Sequence, residues 1–227
     1  MKGFYEIMID ITISNELKEI CPKITLGCIQ ANINTTNSTN DLLEEIDNYC
    51  ETLKSEITLE ELSSIPRIKD GREAYRSLGK SPSKYRLSSE ALIRRVLQGK
   101  GLYKINNIVE INNLISIKSK FPVGSYNIEN LSSPISLTIG AEGAQYEGIG
   151  KDLINVSNLP ILTDSIGYFG SPTSDSKRAL ITNDAKKILM CIYSFSQKDE
   201  LESILNYSVE LLKKYASGTN IETQIIR

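Results

Sequence analysis

The sequence predicts an α+β fold, and three observations predict it. The first residues alternate apolar and polar, with Tyr5, Ile7, Ile9, Ile11 and Ile13 set against Glu6, Asp10 and Thr12, the period of a half-buried strand. The middle of the chain repeats apolar residues at helical spacing in successive segments. From Phe121 the texture changes to short strands and turns. A chain of 227 residues can bury a sizeable core. With no internal repeat and no low-complexity linker, one integrated domain over 1–227 is the simplest expectation.

After the first strand a short helical turn is expected, stopped by Pro22, and Ile24 to Ile33 reads as a second strand. The polar turn Asn34 to Ser38 separates it from an acidic helix. Leu42, Leu43, Ile46, Tyr49, Cys50, Leu53 and Ile57 form the buried stripe of that helix, and Glu44, Glu45, Asp47 and Glu51 form a solvated face. Asp70 is expected to cap a helix from Gly71 to Leu78 that Gly79 ends. Lys80 to Arg86 reads as a turn. Ser88 is expected to cap a second helix, with Glu90 in its first turn where the helix dipole favours it. Leu92, Ile93, Val96 and Leu97 make its buried side, and Arg94 lies opposite.

The segment from Ile105 to Lys120 is nearly all buried in character, and helix is favoured over strand despite its β-branched residues. Asn112 and Asn113 sit inside it and need hydrogen-bond partners, from the backbone or from a ligand. Strands are expected at Phe121 to Asn127, Pro134 to Ile139, Ile161 to Asp164 and Ile188 to Tyr193. Gly140 to Gly150 reads as a glycine-rich link, and Gly167 to Pro172 as a loop with exposed aromatics. Leu201, Ile204, Leu205, Leu211 and Leu212 mark an amphipathic helix, after which residues beyond Ser217 are expected to fray.

Charge is segregated along this chain. Between Arg67 and Lys104 stand five lysines and six arginines against Asp70, Glu73 and Glu90, a balance of +8 in a protein whose net charge is −2. The remainder therefore carries −10. A field of this sign meets phosphates or carboxylates. Arg72, Arg76, Lys80, Lys84, Arg86, Arg94 and Arg95 are the candidate phosphate contacts, with Tyr75 and Tyr85 available for stacking. The alternative for Arg86 and Arg94 is a structural pairing with Glu90.

What is missing narrows the chemistry. The chain has no histidine and no tryptophan, which excludes a Ser-His-Asp or Cys-His nucleophile and an imidazole zinc site. Cys21, Cys28, Cys50 and Cys191 lack CxxC spacing and read as reduced, buried residues. The glycine-rich link contains no nucleotide fingerprint. No cofactor or metal is implied. No apolar run approaches a membrane span, and the first ten residues lack signal-peptide regions, so a cytoplasmic protein is expected.

Several motifs resemble one family. Tyr75-Arg76-Ser77-Leu78-Gly79, then Ser81 to Arg86 and Ser88 to Arg95, resemble stand-alone proteins of the B3/B4 tRNA-binding domain family. The likeness continues through Ile105-Asn106, Ile111-Asn112-Asn113, Pro122 to Asn127 and Phe169 to Ser176, and covers about residues 60–215. That domain is also the editing domain of the phenylalanyl-tRNA synthetase beta subunit, which hydrolyses tyrosine from the phenylalanine tRNA. The resemblance implies an α+β fold centred on a β-sandwich flanked by helices, with residues 1–60 integrated into it. It also implies a partner, the acceptor end of an aminoacyl-tRNA, with neither DNA nor membrane expected.

The resemblance places Asn112 and Asn113 where the synthetase has a Thr-Asn pair lining its pocket. It places Gly124 where the synthetase has a histidine, and Met190 where it has a glutamate. Those two polar groups are absent here, so tyrosine specificity does not carry over. Hydrolysis without histidine would rest on preorganised donors around an oxyanion. Asn112 and Asn113, with the backbone N–H groups of Gly167 and Gly170, are candidates. Asp164 is the candidate for orienting the water or the substrate's amino group. Gly124 and Tyr126 complete the expected substrate wall. Two other classes compete with this trans-acting deacylase: a non-catalytic RNA-binding module, and a binder of a small molecule such as an amino acid.

Overall fold

The computed structural model describes residues 9–150, 152–196 and 199–227. Tyr5 and Ile7, expected in the first strand, lie outside them. The strand itself is β1 (Ile11–Ile13), and Ser14 caps α1 (Asn15–Ile20) by accepting the Leu17 N–H. β2 (Thr25–Asn32) is buried along most of its length because it is an inner strand. Thr39 caps α2 (Asn40–Glu56), the acidic helix. α3 (Pro66–Ser77), α4 (Ser88–Leu97) and α5 (Asn107–Ser119) follow. Asn106 caps α5 by accepting the Val109 N–H at 3.0 Å, and that cap helps a β-branched segment into a helix.

The second half supplies β3 (Val123–Asn127), β4 (Ile135–Ile139), β5 (Gln145–Glu147), β6 (Leu153–Asn155), β7 (Pro160–Thr163), β8 (Tyr168–Gly170) and β9 (Lys187–Ser194). α6 (Asp199–Ala216) and β10 (Thr219–Ile226) close the order. One sheet runs β1-β4-β7-β8, with β1 parallel to β4 and the other pairs antiparallel. The other runs β10-β2-β9-β3 and is antiparallel throughout. β5 and β6 form a separate hairpin.

This is an α+β fold. α6 lies on β2, where a Cβ at Gly27 would stand 3.2 Å from Leu201. α5 lies on β3 and against α6. The two four-stranded sheets meet where Tyr126 of β3 packs edge-on against Phe169 of β8, with ring centroids 5.1 Å apart. Buried apolar residues from the sheets and helices form one contiguous cluster.

Five expectations are corrected. α3 begins at Pro66, not Gly71, because proline suits the first helical turn; Asp70 is inside the helix and caps nothing. Ser88 is the first residue of α4 instead of its cap, and its N–H donates to the Pro172 carbonyl at 2.7 Å. The presumed loop at Gly167 to Pro172 contains β8, in which Phe169 is fully buried. The glycine-rich link contains β5, paired with β6. The residues after Ser217 are an edge strand on β2, and its mostly exposed side chains left no alternating pattern to read.

Candidate functional site

The basic tract divides into two populations. Arg72 Nη1 donates to both oxygens of Glu90, at 2.9 and 3.0 Å, and Arg94 Nη2 stands 3.6 Å from the same carboxylate. The Glu90 side chain is 1% exposed, so these guanidinium groups neutralise a buried charge that joins α3 to α4. Arg86 takes no part in this pairing. Arg95 lies over the exposed Tyr103 ring at 4.1 Å. Lys80 stands 4.4 Å from the Tyr85 centroid and also reaches Asn155 on β6. The second population faces water: Arg76, Lys84 and Arg86 are exposed and have no ion-pair partner among the described residues. The Lys84 ammonium stands 5.6 Å from the Tyr85 ring centroid.

The loop after β8 ties this pair to both sheets. Tyr75 of α3 shares a 2.7 Å hydrogen bond with Thr173, and Tyr146 of β5 donates to Ser171 Oγ at 3.3 Å and to the Ser174 carbonyl. Tyr126 donates to Asp175 Oδ1 at 2.7 Å and shares a 2.8 Å bond with Tyr193. Burial pushes the Asp175 carboxyl up to about 7, and the Tyr126 hydroxyl and Ser171 N–H only partly offset it. Burial likewise holds the Tyr126 and Tyr193 phenols well above their ordinary value. Asp175 and Tyr193 were not among the residues singled out from the sequence. The signal was present, since Asp175 stands in the Ser171 to Ser176 run.

Tyr126 also decides what surrounds Gly124 and Gly170. A Cβ would lie 2.1 Å from the Tyr126 hydroxyl oxygen at Gly124 and 2.3 Å at Gly170. The space over both glycines is therefore filled by this chain's own tyrosine.

The asparagine pair splits. Asn112 Nδ2 donates to the Val123 carbonyl at 3.3 Å and its Oδ1 accepts from Ser125 Oγ at 2.9 Å, which fastens α5 to β3. Asn113 is buried, and its side chain makes no hydrogen bond among the described residues. Asp164 stands in neither environment. Its side chain is closed to solvent and forms a two-point ion pair with Arg178, at 3.0 and 3.1 Å. It also accepts the N–H groups of Ser132, Ile166 and Gly167. Burial works to raise its pKa, but the guanidinium and the three N–H donors outweigh it and hold the carboxyl below its ordinary value. Asp164 thus clamps the β7–β8 turn.

Four clefts among the described residues have neither asparagine in their walls. One, of about 550 Å³, contains Gly167 and lies between β5, the β7–β8 turn and the short helical turn after Ser176.

The B3/4 domain model matches residues 70–217, well over half of the sequence. The chain belongs to the B3/4 domain family. Among solved structures, this B3/4 chain resembles the N-terminal fragment of the phenylalanyl-tRNA synthetase beta subunit from Pyrococcus horikoshii, with a TM-score of 0.46 and 11% identity. The match covers 97% of this chain and 51% of that one, so this chain spans about half of the fragment's length. No curated protein matches the sequence. No helix among the described residues is long and apolar enough to cross a membrane.

Proposed function

We propose that this B3/4 protein is a tRNA-binding module that holds the ribose-phosphate backbone near the acceptor end on its α3–α4 pair. The observation that carries the reading is the division of the basic tract. Two arginines are spent on Glu90, while Arg76, Lys84 and Arg86 are exposed and have no ion-pair partner among the described residues. The exposed cations belong to a tract of net charge +8 in a chain of net charge −2, and a local field of that sign is available to an outside anion. Binding of unacylated tRNA, followed by fluorescence anisotropy across a salt series, tests it. Replacing Arg76, Lys84 and Arg86 together by Ala should lower the slope of log K against log salt by about 2. An unchanged slope removes the reading.

Hydrolysis of mischarged tRNA is the second reading, and one observation favours it: the Asn113 side chain makes no hydrogen bond among the described residues. Tyr126 over Gly124 and Gly170, and Asp164 held by Arg178, speak for binding without hydrolysis. A panel of mischarged tRNAs separates the two readings. Amino-acid release that Asn113→Ala abolishes supports the deacylase, and retention with intact binding supports the module.

A further inference from the structure

Lys120 ends α5 in a left-handed conformation, φ 65°, with its N–H on the Ser116 carbonyl at 2.9 Å. From that cap its side chain reaches α2, where Nζ donates to the Tyr49 hydroxyl at 2.7 Å, and it also donates to the Lys118 carbonyl at 3.2 Å. Both acceptors are neutral, and no carboxylate is paired with Lys120 among the described residues. Lys118 supplies the contrast. The two ammonium groups stand 5.4 and 5.2 Å from the same Tyr49 ring centroid, yet Lys118 is matched by Glu45 at 3.0 Å.

The charges facing Lys120 come from three helices. Glu56 of α2 favours its ammonium form, Arg67 of α3 repels it, and Lys118 of α5 is a further cation already matched. Burial outweighs Glu56, Arg67 adds to it, and the amine is pulled down to about 8. At pH 8 about half of it is free base, against less than about one in a hundred for an ordinary lysine. A half-buried amine with a free lone pair, in contact with a hydroxyl that can pass on its proton, is arranged as a nucleophile.

We propose that Lys120 is a site of acylation by a small acyl phosphate. The amine's lone pair forms a bond to the acyl carbon, the bond from that carbon to the phosphate oxygen breaks, and phosphate leaves with the electron pair. The surplus proton on nitrogen passes by way of the Tyr49 hydroxyl to water. A neutral amide then stands where a cation closed the α5 C-terminus. Half-burial favours a donor of this size over a bulky one. The proposal is independent of tRNA binding.

The test treats the full chain with acetyl phosphate and follows each lysine by peptide mass spectrometry. At pH 8 Lys120 should be acetylated roughly tenfold faster than the exposed Lys23 and Lys104, from its larger free-base fraction. In urea the three rates should become equal, because the fold makes the difference. Lys120's rate should rise with pH to a midpoint near 8, and Glu56→Gln should move that midpoint down by removing the charge that favours the ammonium. Glu56 is exposed, and a melting temperature near wild type verifies that the variant is folded. A Lys120 rate no faster than Lys23 overturns the proposal. So does a preference that survives in urea, which would belong to the local sequence, and so does a midpoint that Glu56→Gln leaves in place.

Discussion

Asp164 and Asp175 lie eleven residues apart and face opposite physics. Asp164 is closed to solvent but compensated: a two-point guanidinium and three backbone N–H groups converge on it. Asp175 is surrounded by protein with a tyrosine hydroxyl at 2.7 Å, one N–H at 3.4 Å and no ion-pair partner among the described residues. The first is therefore held ionised, and the second is pushed up to about 7. Burial alone does not decide a carboxylate's state; the donors around it do. The residue that looked catalytic from the sequence is the clamp of a turn. The one that looked like a loop residue carries the carboxyl that titrates near neutrality.

The largest test of this contrast is Asp164→Ala. It leaves Arg178 and three N–H groups without their acceptor, and loss of one partner from a buried pair costs about 3–5 kcal/mol. Urea unfolding would show it, and a loss below about 1 kcal/mol would mean the turn is held by other contacts. The pH profile comes next. Asp164 has a lowered folded pKa, so its contribution is present above the unfolded value near 3.9 and is lost as pH falls below it. Asp175 has a raised one, so the folded state binds the extra proton. Its contribution is complete below about 4 and is lost as pH rises through about 7. Asp175→Asn keeps an acceptor for Tyr126 and cannot ionise, so it should gain a few kcal/mol relative to wild type at pH 8 and lose that advantage by pH 4. Parallel stability curves for the two proteins between pH 4 and 8 would show that Asp175 does not titrate there.

A smaller effect is expected at the tyrosine between the two sheets. Gly124→Ala brings a Cβ to 2.1 Å from the Tyr126 hydroxyl oxygen, and overpacking of this kind costs about 1–3 kcal/mol. Asp175 loses its hydrogen bond if Tyr126 swings away, so the cost should be greatest above pH 7, where the carboxylate is ionised. A neutral substitution would mean that the space over Gly124 is free after all.

The sequence carried the elements whose side chains face a core and missed those held by backbone alone. β1, α2 and α6 announced themselves through apolar periodicity, and β2 and β9 through continuous apolar runs. β10 and the β5–β6 hairpin did not, since an edge strand and a surface hairpin bury little. Charge was legible in sum but not in use. The +8 of the basic tract could be counted, whereas the assignment of Arg72 to Glu90 needed two helices brought together across eighteen residues. The filling of Gly124 and Gly170 by Tyr126 was equally invisible, because it depends on β3 and β8 meeting from different sheets.

The smallest expected effect sets Lys177 beside its neighbour Arg178. The Lys177–Glu147 contact is the shorter of the two ion pairs, at 2.7 Å against 3.0 Å, yet both its partners are more than half exposed while Asp164 is closed off. Distance is the wrong measure, since an exposed pair exchanges one set of hydrogen bonds for water at little cost. Lys177→Ala should leave the melting temperature unmoved within error, whereas Arg178→Ala should lower it clearly by stranding Asp164. If Lys177→Ala also destabilises the fold, its charge is committed to β5.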